Sequence, residues 1–180
     1  VGGTNAVDIV GYGNLFMLGT DDAFLDGVNV YLLKKPTKFK EDAKITVQVW
    51  MTSITESGVQ LAYLPVEGAV VKMKDIKADG EDGAWCPIYD GGLVQVKFSE
   101  PLSMYGKTTF FVSVEGFSND PATEDFVLLK DMLGKELDET QSYSLLCHNS
   151  FARQNGETDY LRPISMYGGG TGSFAICPII

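Results

Sequence analysis

The stretch from Leu93 to Phe117, LVQVKFSEPLSMYGKTTFFVSVEGF, constrains this chain more than any other. In its first half Val94, Val96 and Phe98 alternate with Gln95 and Lys97. In its second half Phe110, Val112 and Val114 alternate with Phe111, Ser113 and Glu115. A period of two puts successive side chains on opposite faces, which is the pattern of a half-buried β-strand. Between the halves, Glu100-Pro101 and Tyr105-Gly106 supply breakers, because proline has no ladder donor and glycine tolerates the positive φ of a reversal. The expectation is a β-hairpin that serves as framework, with binding chemistry on the loops around it.

The same reading extends along the chain. Leu15 to Leu18, Val28 to Leu33, Ala43 to Ser53, Val59 to Leu64, Ala69 to Ile76, Trp85 to Tyr89, Phe126 to Leu129, Ser142 to Cys147, Tyr160 to Met166 and Ser173 to Ile180 all read as strands. The runs from Lys38 to Lys44 and from Asn149 to Asp159 read as polar loops, and Asp131 to Glu139 as a hairpin tip. With 20 glycines and no sustained amphipathic helix, the chain is expected to be all-β: a two-sheet antiparallel β-sandwich of jelly-roll or related Greek-key topology. Its 180 residues suit one domain, 1–180, with residues 1–8 a flexible leader.

Charge narrows the partners. The chain carries 24 acidic and 14 basic residues, a formal net charge of -10, so phosphate backbones and anionic membranes are repelled over most of its surface. Nucleic acid is excluded as the expected partner, and no apolar run approaches the roughly 20 residues of a membrane span. The chain opens at Val1 without a methionine, which fits a processed product whose leader is absent. Cys86, Cys147 and Cys177 form no CxxC pair; Cys147 and Cys177 are within reach of one another if they lie on neighbouring late strands, and small buried hydrophobes are the expected role of all three.

In order, a GVNVYL strand, an ITVQVW strand, a Gly-containing loop, the VQVKFSEPLSMYGKTTFFVSVEGF stretch, a SYSLLC strand and a SFAICPII ending make a recognisable succession. Over residues 24 to 180 it resembles the secreted β-sandwich accessory modules of Bacteroidetes-type bacteria, including those similar to cleaved adhesin domains. The string Ala78-Asp79-Gly80-Glu81-Asp82-Gly83-Ala84-Trp85 looks like the Asp-Gly-rich, Trp-terminated loop of that family, although it falls mid-chain here rather than early. The resemblance implies an extracellular or cell-surface, non-catalytic binding or adhesion role, with bound calcium and a jelly-roll fold.

From the residues themselves, three constellations stand out. Asp79, Glu81 and Asp82, flanked by Gly80 and Gly83, offer closely spaced oxygens to a hard cation such as Ca2+; the spacing is not that of an EF-hand, and a solvated acidic turn is the commoner outcome. Asp21, Asp22 and Asp26 form a second acidic patch of the same bland kind. Trp50, Trp85, Tyr89 and Tyr105, with Tyr160 and Tyr167, stand at polar or turn positions where a ring face can stack on a sugar, although large aromatics in a sandwich more often close its ends. Trp50 in particular falls on the polar side of its strand.

Catalysis has little footing. His148 is the lone histidine, Cys147 beside it points to the opposite strand face, and neither a nucleophile elbow nor an H-E-x-x-H zinc motif is present. Gly168 to Gly172 lacks the lysine and the following helix of a phosphate cradle. The expected function is a binding module for a glycan or a surface protein. The alternatives are a jelly-roll glycan hydrolase that uses a distant Asp/Glu pair, and a structural spacer. For the calcium loop, millimolar Ca2+ raises the melting temperature and Asp79→Ala removes the shift; an unchanged melting curve rules the cation out.

Overall fold

Residues 8–18, 23–34, 36–55, 58–64, 69–76, 93–106, 109–117, 122–124, 127–128, 150–156, 162–163 and 174–180 are described by the computed structural model. Among them the strands are β1 (Ile9–Met17), β2 (Phe24–Lys34), β3 (Lys44–Thr55), β4 (Gly58–Leu64), β5 (Val70–Lys72), β6 (Leu93–Ser103), β7 (Thr109–Glu115), β8 (Val127–Leu128), β9 (Ser150–Gln154), β10 (Arg162–Pro163) and β11 (Ile176–Ile179). A larger antiparallel sheet runs β10-β9-β1-β7-β3, with β4 and β5 sharing the far edge of β3. A smaller one runs β11-β2-β6, with β8 also on β2. No helix among the described residues is long and apolar enough to cross a membrane.

The expected hairpin is corrected here. β6 and β7 follow one another in the chain but belong to different sheets, β6 pairing with β2 and β7 with β1 and β3. The pairs nest: β1 with β7, β2 with β6, β3 with β5. The described strands form a two-sheet antiparallel β-sandwich, and their nested order is that of a long ribbon folded over on itself, as in a jelly roll. Leu93–Phe117 is the returning arm of that ribbon, and Tyr105-Gly106 lies in the arch that carries it from one sheet to the other, with Gly106 at φ 68°.

Alternation explains the core. From the smaller sheet Val28, Val30, Leu32, Val94 and Val96 point inward, and from the larger Ile45, Val47, Val49, Val112 and Val114 meet them; all are buried. β6 keeps the strict period of two over residues 94–98. β7 departs from it, because Phe111 and Ser113 on its outward face are buried as deeply as Phe110 and Val112 on its inward one. Two flanking strands and what lies across them cover both its sides.

Breakers act inside strands as well as between them. Leu25 pairs with Leu102 and Gly27 with Lys97, so β6 spends more residues than β2 over that interval. The excess holds Pro101, which has no amide hydrogen to give, and the expected break at Glu100-Pro101 is a bulge within β6. On the Ala69 to Ile76 run the strand ends early, at Lys72. A 3-10 turn over Met73–Asp75 follows, its Met73 amide donating to the Ala43 carbonyl at 2.8 Å, and it delivers Met73 and Ile76 into the core.

The Asn149 to Asp159 loop is a second correction, since β9 occupies 150–154. Ser150 and Ala152 face inward and are small, while Phe151 and Arg153 face outward over β1. A strand whose inward residues are a serine and an alanine shows no apolar alternation. What recruits Ser150 is Asn14 on β1, 1% exposed, whose side-chain carbonyl accepts from Ser150 Oγ at 2.8 Å and from the Phe174 amide at 3.3 Å, while its Nδ2 donates to the Phe174 carbonyl at 2.7 Å. One amide side chain therefore replaces a backbone bridge between the larger sheet and the segment entering β11. Tyr12, two residues earlier on the same face, packs against the Phe174 ring with centroids 4.8 Å apart and edge-on to Phe117 at 5.1 Å.

Asn14→Leu keeps the volume but removes the side-chain oxygen that accepts from the buried Ser150 hydroxyl and the Phe174 amide, while the Phe174 carbonyl keeps the Ile176 amide at 2.8 Å. The expected loss is on the order of 3 kcal/mol, each unsatisfied buried group costing roughly 1–3 kcal/mol. Chemical denaturation is expected to show it as a lower midpoint with an unchanged slope.

Candidate functional site

β3 sets the site because its two faces differ. Ile45, Val47 and Val49 enter the core, which leaves Lys44, Thr46, Gln48, Trp50 and Thr52 in a column on the outward face of the larger sheet. Lys44 is exposed and the other four are half-buried. The reading of Trp50 as an outward residue agrees with this placement.

Trp50 does not swing freely. Its Nε1 donates to Ser113 Oγ at 3.0 Å, and it stands opposite Phe111 across the β3–β7 ladder. Thr52, next along the column, donates its hydroxyl to the Thr109 carbonyl at 3.0 Å. A tryptophan with its N–H engaged inward and part of its ring toward solvent is an oriented apolar platform. Ser113 is fully buried, so this hydroxyl has no competing solvent.

Beyond β7 the outward face is closed by contacts that step over β1. Gly11 and Gly13 have no side chains, and β1 there is a trough. Across Gly11, Arg153 of β9 meets Glu115 of β7 at 2.7 Å, both side chains mostly buried. Across Gly13, Phe151 meets Phe111 edge-on with centroids 5.9 Å apart, and a methyl group at Gly13 would overlap the Phe111 ring. The glycines of the GYGN string are thus spacers for cross-strand pairs, and the open part of the face is the β3 column.

At the start of that column lies a charged groove of about 670 Å³, lined by Lys44, Lys72, Lys74, Val70, Glu41 and Asp42. Lys44 stands directly opposite Lys72 on β5. Next to it, sharing Asp42 and Lys44, is a smaller concavity of about 260 Å³ floored by Phe39, Met73 and Phe117. Its rim is held by Glu124, whose Oε2 accepts from both the amide and the hydroxyl of Thr37 at 3.1 Å. Gly116, at φ 120°, lets the chain pass against the Lys44 carbonyl. The sequence reading assigned Lys38 to Lys44 to a solvated loop. The same reading began a strand at Ala43, and the structure puts Lys44 in that strand, in step with Thr46, Gln48 and Trp50, with residues 38–43 outside it.

Tyr105 lies elsewhere, in the arch between the sheets, and is 73% exposed. The same end of the sandwich carries Met17 at the end of β1, Phe24 at the start of β2 and Met51 on β3, all exposed. Trp50 and Tyr105 are therefore not members of one sheet face. Trp85, Tyr89, Tyr160, Tyr167, the carboxylates Asp79, Glu81 and Asp82, and also Asp21, Asp22, Cys86, Cys147 and His148, lie outside the described residues. Asp26 is exposed. No group of three or more His, Cys, Asp or Glu among the described residues is placed to hold a metal ion. Cys177 corrects the expectation of a buried cysteine: it is a free thiol on the exposed side of β11, where partial burial pushes its pKa up from the ordinary value.

Ser113→Ala frees the indole N–H of Trp50. The near-ultraviolet circular dichroism and the tryptophan emission are expected to change while the far-ultraviolet spectrum stays, with a stability loss of about 1 kcal/mol, the usual net value of one hydrogen bond. Comparison with family models, with curated proteins and with solved structures finds no match for this chain.

Proposed function

We propose that this chain is a non-catalytic glycan-binding module of the surface-exposed kind, and that it holds its ligand along the outward column of β3. The observation that carries this reading is Trp50: a half-exposed ring fixed by Ser113, in line with the hydrogen-bonding side chains of Gln48, Thr46 and Thr52. Sugars are bound by a flat apolar face against the C–H side of the ring and by polar groups at its edge, and a ring already held in place loses little freedom on binding. A stacking platform needs rigid support, and β7, buried on both faces, is paired alongside β3.

A second reading, a protein partner docked on the end of the sandwich, is favoured by the exposed Met17, Phe24, Met51 and Tyr105. Exposed apolar side chains gathered where three connections meet are a common mark of contact surfaces. The two readings use different residues.

Affinity electrophoresis through a panel of polysaccharides, followed by calorimetry on the retained one, separates them. Trp50→Ala is expected to weaken glycan binding at least tenfold, about 1.4 kcal/mol, with an unchanged far-ultraviolet spectrum. Retention of no glycan, or full retention by Trp50→Ala, sinks the glycan reading. In that case Phe24→Ser and Tyr105→Ser should instead abolish retention on an immobilised surface protein that retains the parent chain. Release of reducing ends, lost with a single Asp or Glu substitution, would replace both readings with a hydrolase.

A further inference from the structure

We propose that the glycan bound along β3 is anionic, bearing carboxylate or sulfate groups that are met by Lys44 and Lys72. This inference rests on the glycan reading above and specifies the ligand of the same face. The observation behind it is a pair of like charges placed against each other. Lys44 and Lys72 are directly opposed partners in the β3–β5 ladder, both exposed, and Lys74 follows at the same groove. Like charges directly opposite in an antiparallel pair are destabilising.

Among the described residues no ion pair relieves the opposition. Glu41 and Asp42 line the same groove, yet neither forms an ion pair with Lys44, Lys72 or Lys74 among the described residues. A lysine on an edge strand guards against edge-to-edge pairing, and that role accounts for Lys72. It does not account for Lys44, which lies on β3, between β5 and β7. In a chain with 24 acidic and only 14 basic residues, two ammonium groups set side by side on one face are an arrangement for an anion.

Position ties the charge to the platform. Lys44 and Trp50 belong to the same outward column, and at about 3.4 Å per residue they are about 20 Å apart along the strand. A short oligosaccharide spans that distance, with Thr46 and Gln48 between. The net charge of -10 repels a long polyanion at low salt. Near physiological ionic strength that repulsion is screened beyond about 8 Å, while contact with Lys44 and Lys72 is not. At that ionic strength the lysine pair therefore meets acidic units that the chain's net charge no longer repels.

The test is affinity electrophoresis of the full chain through gels containing dextran, dextran sulfate, neutral galactan or polygalacturonate, at several salt concentrations. At least tenfold stronger retention by dextran sulfate than by dextran, or by polygalacturonate than by galactan, is the expected result; the first pair reports sulfate and the second carboxylate. Lys44→Gln combined with Lys72→Gln should erase that preference, bringing retention by each charged polymer down to that of its neutral partner. Its melting temperature should equal or exceed the parent's, because the opposed charges are gone. Equal retention by charged and neutral partners, or a preference that survives the double substitution, overturns the inference and leaves the glycan reading standing. Retention by any of these gels that Trp50→Ala leaves untouched, or no retention at all, overturns the glycan reading and this inference with it.

Discussion

A single amide side chain holds the two sheets in register. Asn14 presents both halves of a peptide-like group to the backbone of Phe174 and takes a further bond from Ser150, all within the interior. With water absent, a group left without a partner is costly, and the Phe174 carbonyl is held twice, by Asn14 and by the Ile176 amide. The consequence spreads through β1. With Asn14 and Tyr12 committed inward, the residues between and beside them must face outward, and these are Gly11 and Gly13. The trough they leave lets Arg153 reach Glu115 and Phe151 reach Phe111 over an intervening strand.

That closure is what makes the β3 column distinct. Where β1 and β7 are covered on the outward face, β3 is left half-open, with a fixed indole toward one end and opposed lysines at the other. Rigid framework and open polar surface thus come from the same strand, one face each.

Much of this was written in the alternation. The strands of the GVNVYL, ITVQVW and VQVKFS strings, the outward placement of Trp50 and the sandwich class follow from apolar side chains recurring at every second position. Pairing did not follow, because alternation says which face a residue takes and nothing of which strand lies beside it. Leu93–Phe117 has every local mark of a hairpin, and only the nesting of distant partners sets its halves in different sheets. β9 stayed hidden because its inward residues are polar or small, matched to an asparagine instead of to an apolar wall. The lysine pair was equally invisible: Lys44 and Lys72 are separated by β4 and two connections, and only register brings them together.

The nested order also fixes when the molecule can become itself. The innermost pairs, β3 with β4 and β5, are close in sequence, whereas β1 waits for β7, and Asn14 for a partner 160 residues further on. Closing the shorter loops first lowers the entropy cost of each longer one, so the ribbon is expected to zip from its middle outward. Through most of that process the side-chain amide of the first strand is still held by water and its ladder groups are open. The residue that aligns the finished sandwich is thus among the last to be satisfied, and it acts as the latch of folding and not as its seed.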